Sequence, residues 1–188
     1  MGTRGLRAIA LALVVALGSA GCSLLPGRSG PEYREAMQAM YPDAMAAVKA
    51  TMPTVKPTQS SGALGSDHDC GGGMFSDAND ASKRYSALGI DATSAPSETR
   101  TPRVLADSAV GFLTDRGWRV EKWPGGELTP PDPETGNGAG VELHLKKPGS
   151  GSAVVSASSS RITSGEVVQI LNVQVTTDCL RNADWRKH

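Results

Sequence analysis

The chain lacks most of the patterns from which a reaction is read. Its 188 residues include three histidines and three cysteines, and the cysteines stand far apart at positions 22, 70 and 179. That spacing contains no Cys-x-x-Cys motif, so a thiol-redox pair of that kind is excluded. No Gly-x-Ser-x-Gly turn presents a serine nucleophile. No second cluster of His or Cys stands ready to complete a tetrahedral metal set. Charge of one sign is missing as well: 19 basic residues balance 19 acidic ones. A chain this close to neutral carries no strong field for nucleic acid or anionic lipid. Its apolar run, Ala8 to Leu17, is shorter than the roughly 20 residues a permanent bilayer span requires.

What is present begins at the N-terminus. Arg4 and Arg7 precede the uncharged run AIALALVVAL, and Gly18-Ser19-Ala20-Gly21 leads directly into Cys22. A short basic segment, an apolar stretch of about 7–15 residues and a small-residue cleavage region make a secretory signal peptide. Small residues let a peptidase grip extended backbone, and the thiol of Cys22 offers a nucleophile for lipid attachment before cleavage. The segment resembles bacterial lipoprotein precursors, whose lipobox ends in a small residue and then Cys. It departs from them at Ser19, where Leu is usual. The expected organisation is therefore a signal peptide over 1–21, a lipidated Cys22 with a tether over 22–30 (CSLLPGRSG), and one domain over 31–188. Two or more acyl chains make attachment to a membrane durable. The implied address is the extracytoplasmic face of the cell membrane.

With the leader removed, roughly 165 residues remain, one domain by size. Arg4 and Arg7 account for two of the 19 basic residues, so the mature chain carries 17 against 19 acidic. If Cys22 carries lipid, Cys70 and Cys179 are left to pair in an oxidising compartment. The loop they close, roughly 110 residues, contributes about 4–5 kcal/mol in the chain-entropy account.

Residues 31–51 (PEYREAMQAMYPDAMAAVKAT) are rich in helix formers. Tyr33, Met37 and Met40 make one stripe; Met45, Val48 and Met52 make another beyond Pro42, which either kinks one helix or begins a second. The stripe reads as core, with a soft binding face as the rival reading. Pro53 to Gly73 reads as loop or extended chain pinned by Cys70. A short strand is expected near Arg84–Ile90. Pro102–Arg116 is the clearest helix, with Thr101 as N-cap, Pro102 at its first position, Gly117 ending it, and Leu105, Ala109, Phe112 and Leu113 facing the core. Strands follow at Trp118–Trp123, around Val141–Lys146, at Ala153–Ser159 and at Glu166–Asp178, with a loop over Pro124–Gly138 and turns at Pro148–Gly151 and Ser160–Gly165. The expected fold is α+β: an N-terminal helix plus a helix packed on a four-stranded antiparallel meander.

This order of features carries a second likeness. The lipobox cysteine, the N-terminal helix, Asp69-Cys70, a helix running into Gly117-Trp118, and the closing strand LNVQVTTDCL (Leu171–Leu180) together resemble small actinobacterial cell-envelope lipoproteins of the LppA-like kind. The resemblance spans most of the mature chain. It implies an envelope protein, and it brings no catalytic residue or cofactor with it.

Four groupings of residues bear on chemistry. Asp67-His68-Asp69-Cys70 gathers metal-ligating types, but neighbours in sequence cannot all face one ion, and Cys70 is expected to be oxidised. His68, His144 and the terminal His188 are the only histidines for a hydrolytic triad; His144 falls on the polar side of its strand. Gly136-Asn137-Gly138-Ala139-Gly140 opens no helix and lacks the Lys-Ser/Thr of a phosphate loop. Asp132 and Glu134 lie in a Pro-rich loop, a poor place to shift a carboxylate by burial. Trp118 and Trp123 lie five apart, so one faces the core and the other the surface; Trp185 sits in a basic tail suited to an interface or a partner. No metal and no cofactor is implied. The expectation is a non-catalytic binding or accessory module, joined to the membrane through Cys22, with an envelope protein or a small molecule as partner and no nucleic acid. A carrier or sensor of a small amphipathic ligand and an envelope hydrolase are the alternatives.

Overall fold

A computed structural model describes residues 32–60, 67–70, 80–122 and 140–184. The expected signal peptide, Cys22, the tether, the Pro124–Gly138 loop, Trp123, Trp185 and His188 lie outside these residues.

The first element, α1, runs Tyr33–Thr51 as one helix with Pro42 inside it. Its entry is a reciprocal cap: Glu32 accepts from the backbone at the third helical position, and Glu35 accepts from the Glu32 amide at 3.2 Å. Proline removes the donor for the Gln38 carbonyl one turn back. Gln38 and Pro42 are both exposed, so water can take that carbonyl's bond. The helix therefore continues, and the two stripes merge into one: Tyr33, Ala36, Met40, Ala44, Ala47, Val48 and Thr51 are buried. Met37 and Met45 only flank it.

Helix α2 spans Pro102–Thr114. Thr101 caps it, its hydroxyl accepting from the Val104 amide at 3.4 Å. Gly117 turns the chain out at φ +83°, a conformation that side chains resist. Leu105, Ala106, Ala109 and Leu113 form the buried face; Phe112 is only half-buried, with the Arg116 guanidinium 3.6 Å from its ring centre.

The class is α+β, as expected, but the four-stranded meander is corrected. The main sheet has six antiparallel strands, built from β1 (Thr58–Ser60), β4 (Ala87–Thr93), β5 (Arg119–Glu121), β6 (Gly140–Lys147), β7 (Gly151–Arg161) and β8 (Val167–Thr177), in the order β1-β4-β8-β7-β6-β5. A second sheet holds β2 (His68–Cys70), β3 (Asp80–Tyr85) and β9 (Leu180–Arg181), in the order β2-β3-β9. Two expectations explain the shortfall. The segment 53–73, expected as loop or extended chain and not counted among the strands, contributes β1 and β2. The single strand placed at Arg84–Ile90 is the junction of two strands that belong to different sheets. They part at Ser86, whose amide donates to the Thr177 hydroxyl and whose carbonyl accepts from the Thr177 amide, both at 2.9 Å. Strand β7 also runs on to Arg161, leaving a shorter turn at 162–165.

Strand alternation sends one face of the main sheet to the helices. Register aligns its apolar residues in rows across four strands: Leu145, Ala153, Val175, Leu88; then Leu143, Val155, Val173, Ile90; then Val141, Ala157, Leu171, Ala92. These residues join the helix stripes in one cluster, where Leu145, Val155, Val173, Ile90, Leu105, Leu113 and Val48 are fully buried. The other face carries Glu142, His144, Lys146, Ser152, Ser156, Asn172, Gln174 and Thr176. At Gly151 the layers touch: a Cβ there would overlap the Thr176 carbonyl and come within 2.9 Å of the Met40 side chain.

Candidate functional site

Past Ser86 and Thr177 the β4–β8 pair continues as β3–β9, with Lys83 opposite Arg181 and Arg84 opposite Leu180. The small sheet therefore lies beyond one end of the main sheet. The start of α1 reaches it: Glu32 forms a parallel bridge with Arg181. Glu32 is the first described residue, and at this end of the molecule a set of charged contacts gathers.

The set is built from four separate stretches of sequence. Arg181 donates to Glu32 at 2.6 Å and Arg34 to Asp184 at 2.6 Å. Tyr33 donates its phenol proton to Asp67 at 2.8 Å, with the Arg34 guanidinium 3.9 Å from the same carboxylate oxygen. Arg84 donates to Asp69 at 2.5 Å. Next to them, the His68 and Tyr85 rings stack with centroids 5.1 Å apart. Burial and the bond to Asp67 hold the Tyr33 phenol above its ordinary range, so it stays protonated and acts as donor. Cys70 and Cys179 are joined by a disulfide, their Cα atoms 6.0 Å apart and 109 positions apart in sequence.

This geometry accounts for each candidate metal ligand. Asp67 receives the Tyr33 hydroxyl, Asp69 holds Arg84, His68 stacks on Tyr85, and Cys70 is oxidised. Among the described residues no three His, Cys, Asp or Glu side chains are grouped to hold a metal ion. Each named carboxylate here faces a guanidinium or a phenol proton, an arrangement that fixes its position. His144 lies on the polar face of β6, 2.7 Å from Glu142. Asp132, Glu134 and most of the Gly136–Gly140 run are outside the described residues; Gly140 opens β6.

A second cluster escaped sequence reasoning. Asp43, on α1, accepts from the Trp118 indole at 3.0 Å and from Lys147 at 2.5 Å, and Arg116 stands 3.8 Å away. One carboxylate thus ties α1 to the end of α2 and the end of β6. Trp118, only 2% exposed, is the core member of the tryptophan pair. The partners are separated by 75 and 104 positions, so no local spacing could have signalled them. The charged set around Tyr33 was equally hidden, apart from the two Asp-Cys pairs that frame it.

Among the described residues no helix is long and apolar enough to cross a membrane. Comparison with protein families, with curated proteins and with solved structures finds no match to this chain.

Proposed function

We propose that this chain is a lipid-anchored protein of the cell envelope, held to the extracytoplasmic face of the membrane through Cys22 and serving as a non-catalytic binding or accessory module. The observation that carries this reading is the pairing of the cysteines. Cys70 and Cys179 are bridged, which leaves Cys22 as the odd one, directly after an apolar run and four small residues. A disulfide in so ordinary a domain suits an oxidising compartment. The likeness of the sequence pattern to LppA-like lipoproteins agrees with it.

The position of Glu32 supports the same reading. It caps α1 and bridges to Arg181, and nine residues separate it from Cys22. At about 3.3–3.6 Å per step the chain from Cys22 to Glu32 reaches no more than about 36 Å, so a lipid on Cys22 keeps the small-sheet end near the bilayer. The antiparallel strands β7 and β8 span 11 residues each away from that end, roughly 36 Å.

The test is intact mass and membrane fractionation of the chain expressed in a bacterial host that lipidates exported proteins, beside Cys22→Ala. The expected wild type begins at Cys22, carries the added mass of acyl chains and sediments with membranes, whereas the variant does not. Wild type released without lipid, with a mass equal to that of an unmodified chain, would sink the proposal.

A further inference from the structure

We propose that the Cys70–Cys179 bridge is a reducible latch on the three-stranded sheet, one whose opening frees the start of α1 while the six-stranded layer stays folded. The inference does not depend on whether Cys22 carries lipid.

Three observations combine. First, the bridge is open to attack at one end: Cys70 is 6% exposed, while Cys179 is exposed. An incoming thiolate must reach a sulfur along the S–S axis, so exposure selects Cys179 as the atom attacked. The neighbouring Asp178 carboxylate would repel a thiolate, but Lys146 is paired with it. Second, the bridge lies outside the apolar core. Neither Cys70 nor the buried Tyr33 and Ala36 belongs to the cluster between the helices and the main sheet. Third, what remains around the bridge is weak. Strands β2 and β9 have three and two residues, and the ion pairs Arg34–Asp184, Arg84–Asp69 and Arg181–Glu32 have side chains about a quarter to half exposed. Pairs of that kind hold little on their own. The cystine links β2 to the residue preceding β9, and both strands lean on β3.

The chemistry is an exchange with a dithiol reductant. One thiolate attacks Cys179 Sγ, the S–S bond breaks, and Cys70 leaves as a thiolate that takes up a proton. The second thiol of the reductant then displaces Cys179 from the mixed disulfide. The reductant departs as a disulfide, having supplied two electrons and two protons. With the link gone, β2 and β9 separate from β3. The Tyr33–Asp67 and Arg181–Glu32 contacts go with them, releasing the helix entry where the chain arrives from residue 31.

The experiment uses the full chain carrying Cys22→Ser, so that only two cysteines remain, treated with dithiothreitol under native conditions. Free thiols are titrated, and amide exchange is followed by mass spectrometry. Two thiols per chain should appear without denaturant. Exchange over 68–70, 80–85 and 180–181 should accelerate by at least roughly tenfold, with 151–161 and 167–177 near their oxidised rates. Reoxidation should restore the slow exchange. The proposal is overturned if thiols appear only in denaturant, or if the long strands lose protection together with the short ones. A Cys70→Ser/Cys179→Ser chain, added in case reduction proves incomplete, should show the same regional pattern without reductant. Uniform protection in that chain would also overturn it.

Discussion

Val173 and Arg84 each sit in the middle of a sheet, and their surroundings differ in kind. Val173 lies between Val155 and Ile90 in a row that is apolar from β6 to β4, under two helices. Arg84 faces Asp69 on one side and Leu180 on the other, in a sheet held by ion pairs, one phenol and a disulfide. Cohesion in the first region is non-directional and grows with apolar area removed from water, at about 25 cal/mol per Å². In the second it depends on individual contacts, several of them partly wet. The first should yield as a unit, and the second should loosen contact by contact. Helix α1 belongs to both: its first turns meet the small sheet, and Ala44, Ala47 and Val48 are in the main core.

The largest effect that separates the regions comes from the apolar rows. Leu145 is fully buried, opposite Ala153 and beneath α2. Leu145→Ala removes its contacts and leaves a cavity, at a cost of about 2–5 kcal/mol. Because the rows are continuous across the sheet, urea unfolding should remain a single transition at a lower midpoint. A second transition in this variant, with the small sheet surviving alone, would show that the main core does not support its neighbour.

How far the two regions could be read beforehand follows the same division. The helix at 102 was legible because its signals are local: Thr101, Pro102 and Gly117 act within a turn of themselves. Strands β6, β7 and β8 were legible because an apolar residue at every second position is imposed by burial on one face. The small sheet gave no such signal. Strand β3 reads Asp-Ala-Ser-Lys-Arg-Tyr, and its partners are two and three residues long, so no period has room to develop. Likewise β1, Thr-Gln-Ser, is an edge strand whose pairing comes entirely from Asp91, Ile90 and Gly89 on β4. The cysteine pairing was inferred by counting, whereas the charged contacts around Tyr33 and Asp43 join distant positions and depend on the completed fold. The proposed address at Cys22 rests on a different kind of signal, since export and lipid attachment read the unfolded chain.

A smaller effect should be confined to the small-sheet end. Tyr33→Phe removes the proton donated to Asp67, a bond to a charged group that contributes about 1–2 kcal/mol. Its pH dependence distinguishes it from a packing change. Burial and the Asp67 bond raise the folded phenol above its ordinary value of 10.0, so the folded state binds this proton more tightly. That contribution is fully present below pH 10 and is lost as pH rises through the folded value. The melting-temperature gap between wild type and Tyr33→Phe should be constant from pH 7 to 9 and narrow above 10, as tyrosinate absorbance grows. A gap that holds steady through pH 11.5 would mean that the hydroxyl contributes nothing through its proton.

The smallest effect lies on the main-core side and runs the opposite way with pH. Glu98 accepts from the Arg100 side chain at 2.5 Å and from its amide at 3.0 Å, and Arg100 in turn donates to the Thr51 carbonyl at 2.9 Å. The triplet fastens the 94–101 connection to the end of α1. The Arg100 side-chain bonds, followed by its backbone N–H, lower the Glu98 carboxyl from 4.5 to about 2. A depressed carboxyl stabilises the fold above its unfolded value and loses that contribution as pH falls toward 2. The Glu98 side chain keeps 18% of its surface and Arg100 keeps 38%, so water and salt screen the pair and the stabilisation is at most about 1 kcal/mol. Urea midpoints of wild type and Glu98→Gln should therefore differ slightly at pH 7 and converge by pH 2.5. Because α2 and the main core continue beyond this clasp, exchange in the small sheet should not respond to it; if it does, α1 transmits strain between the two ends, and the regions are less independent than their contacts indicate.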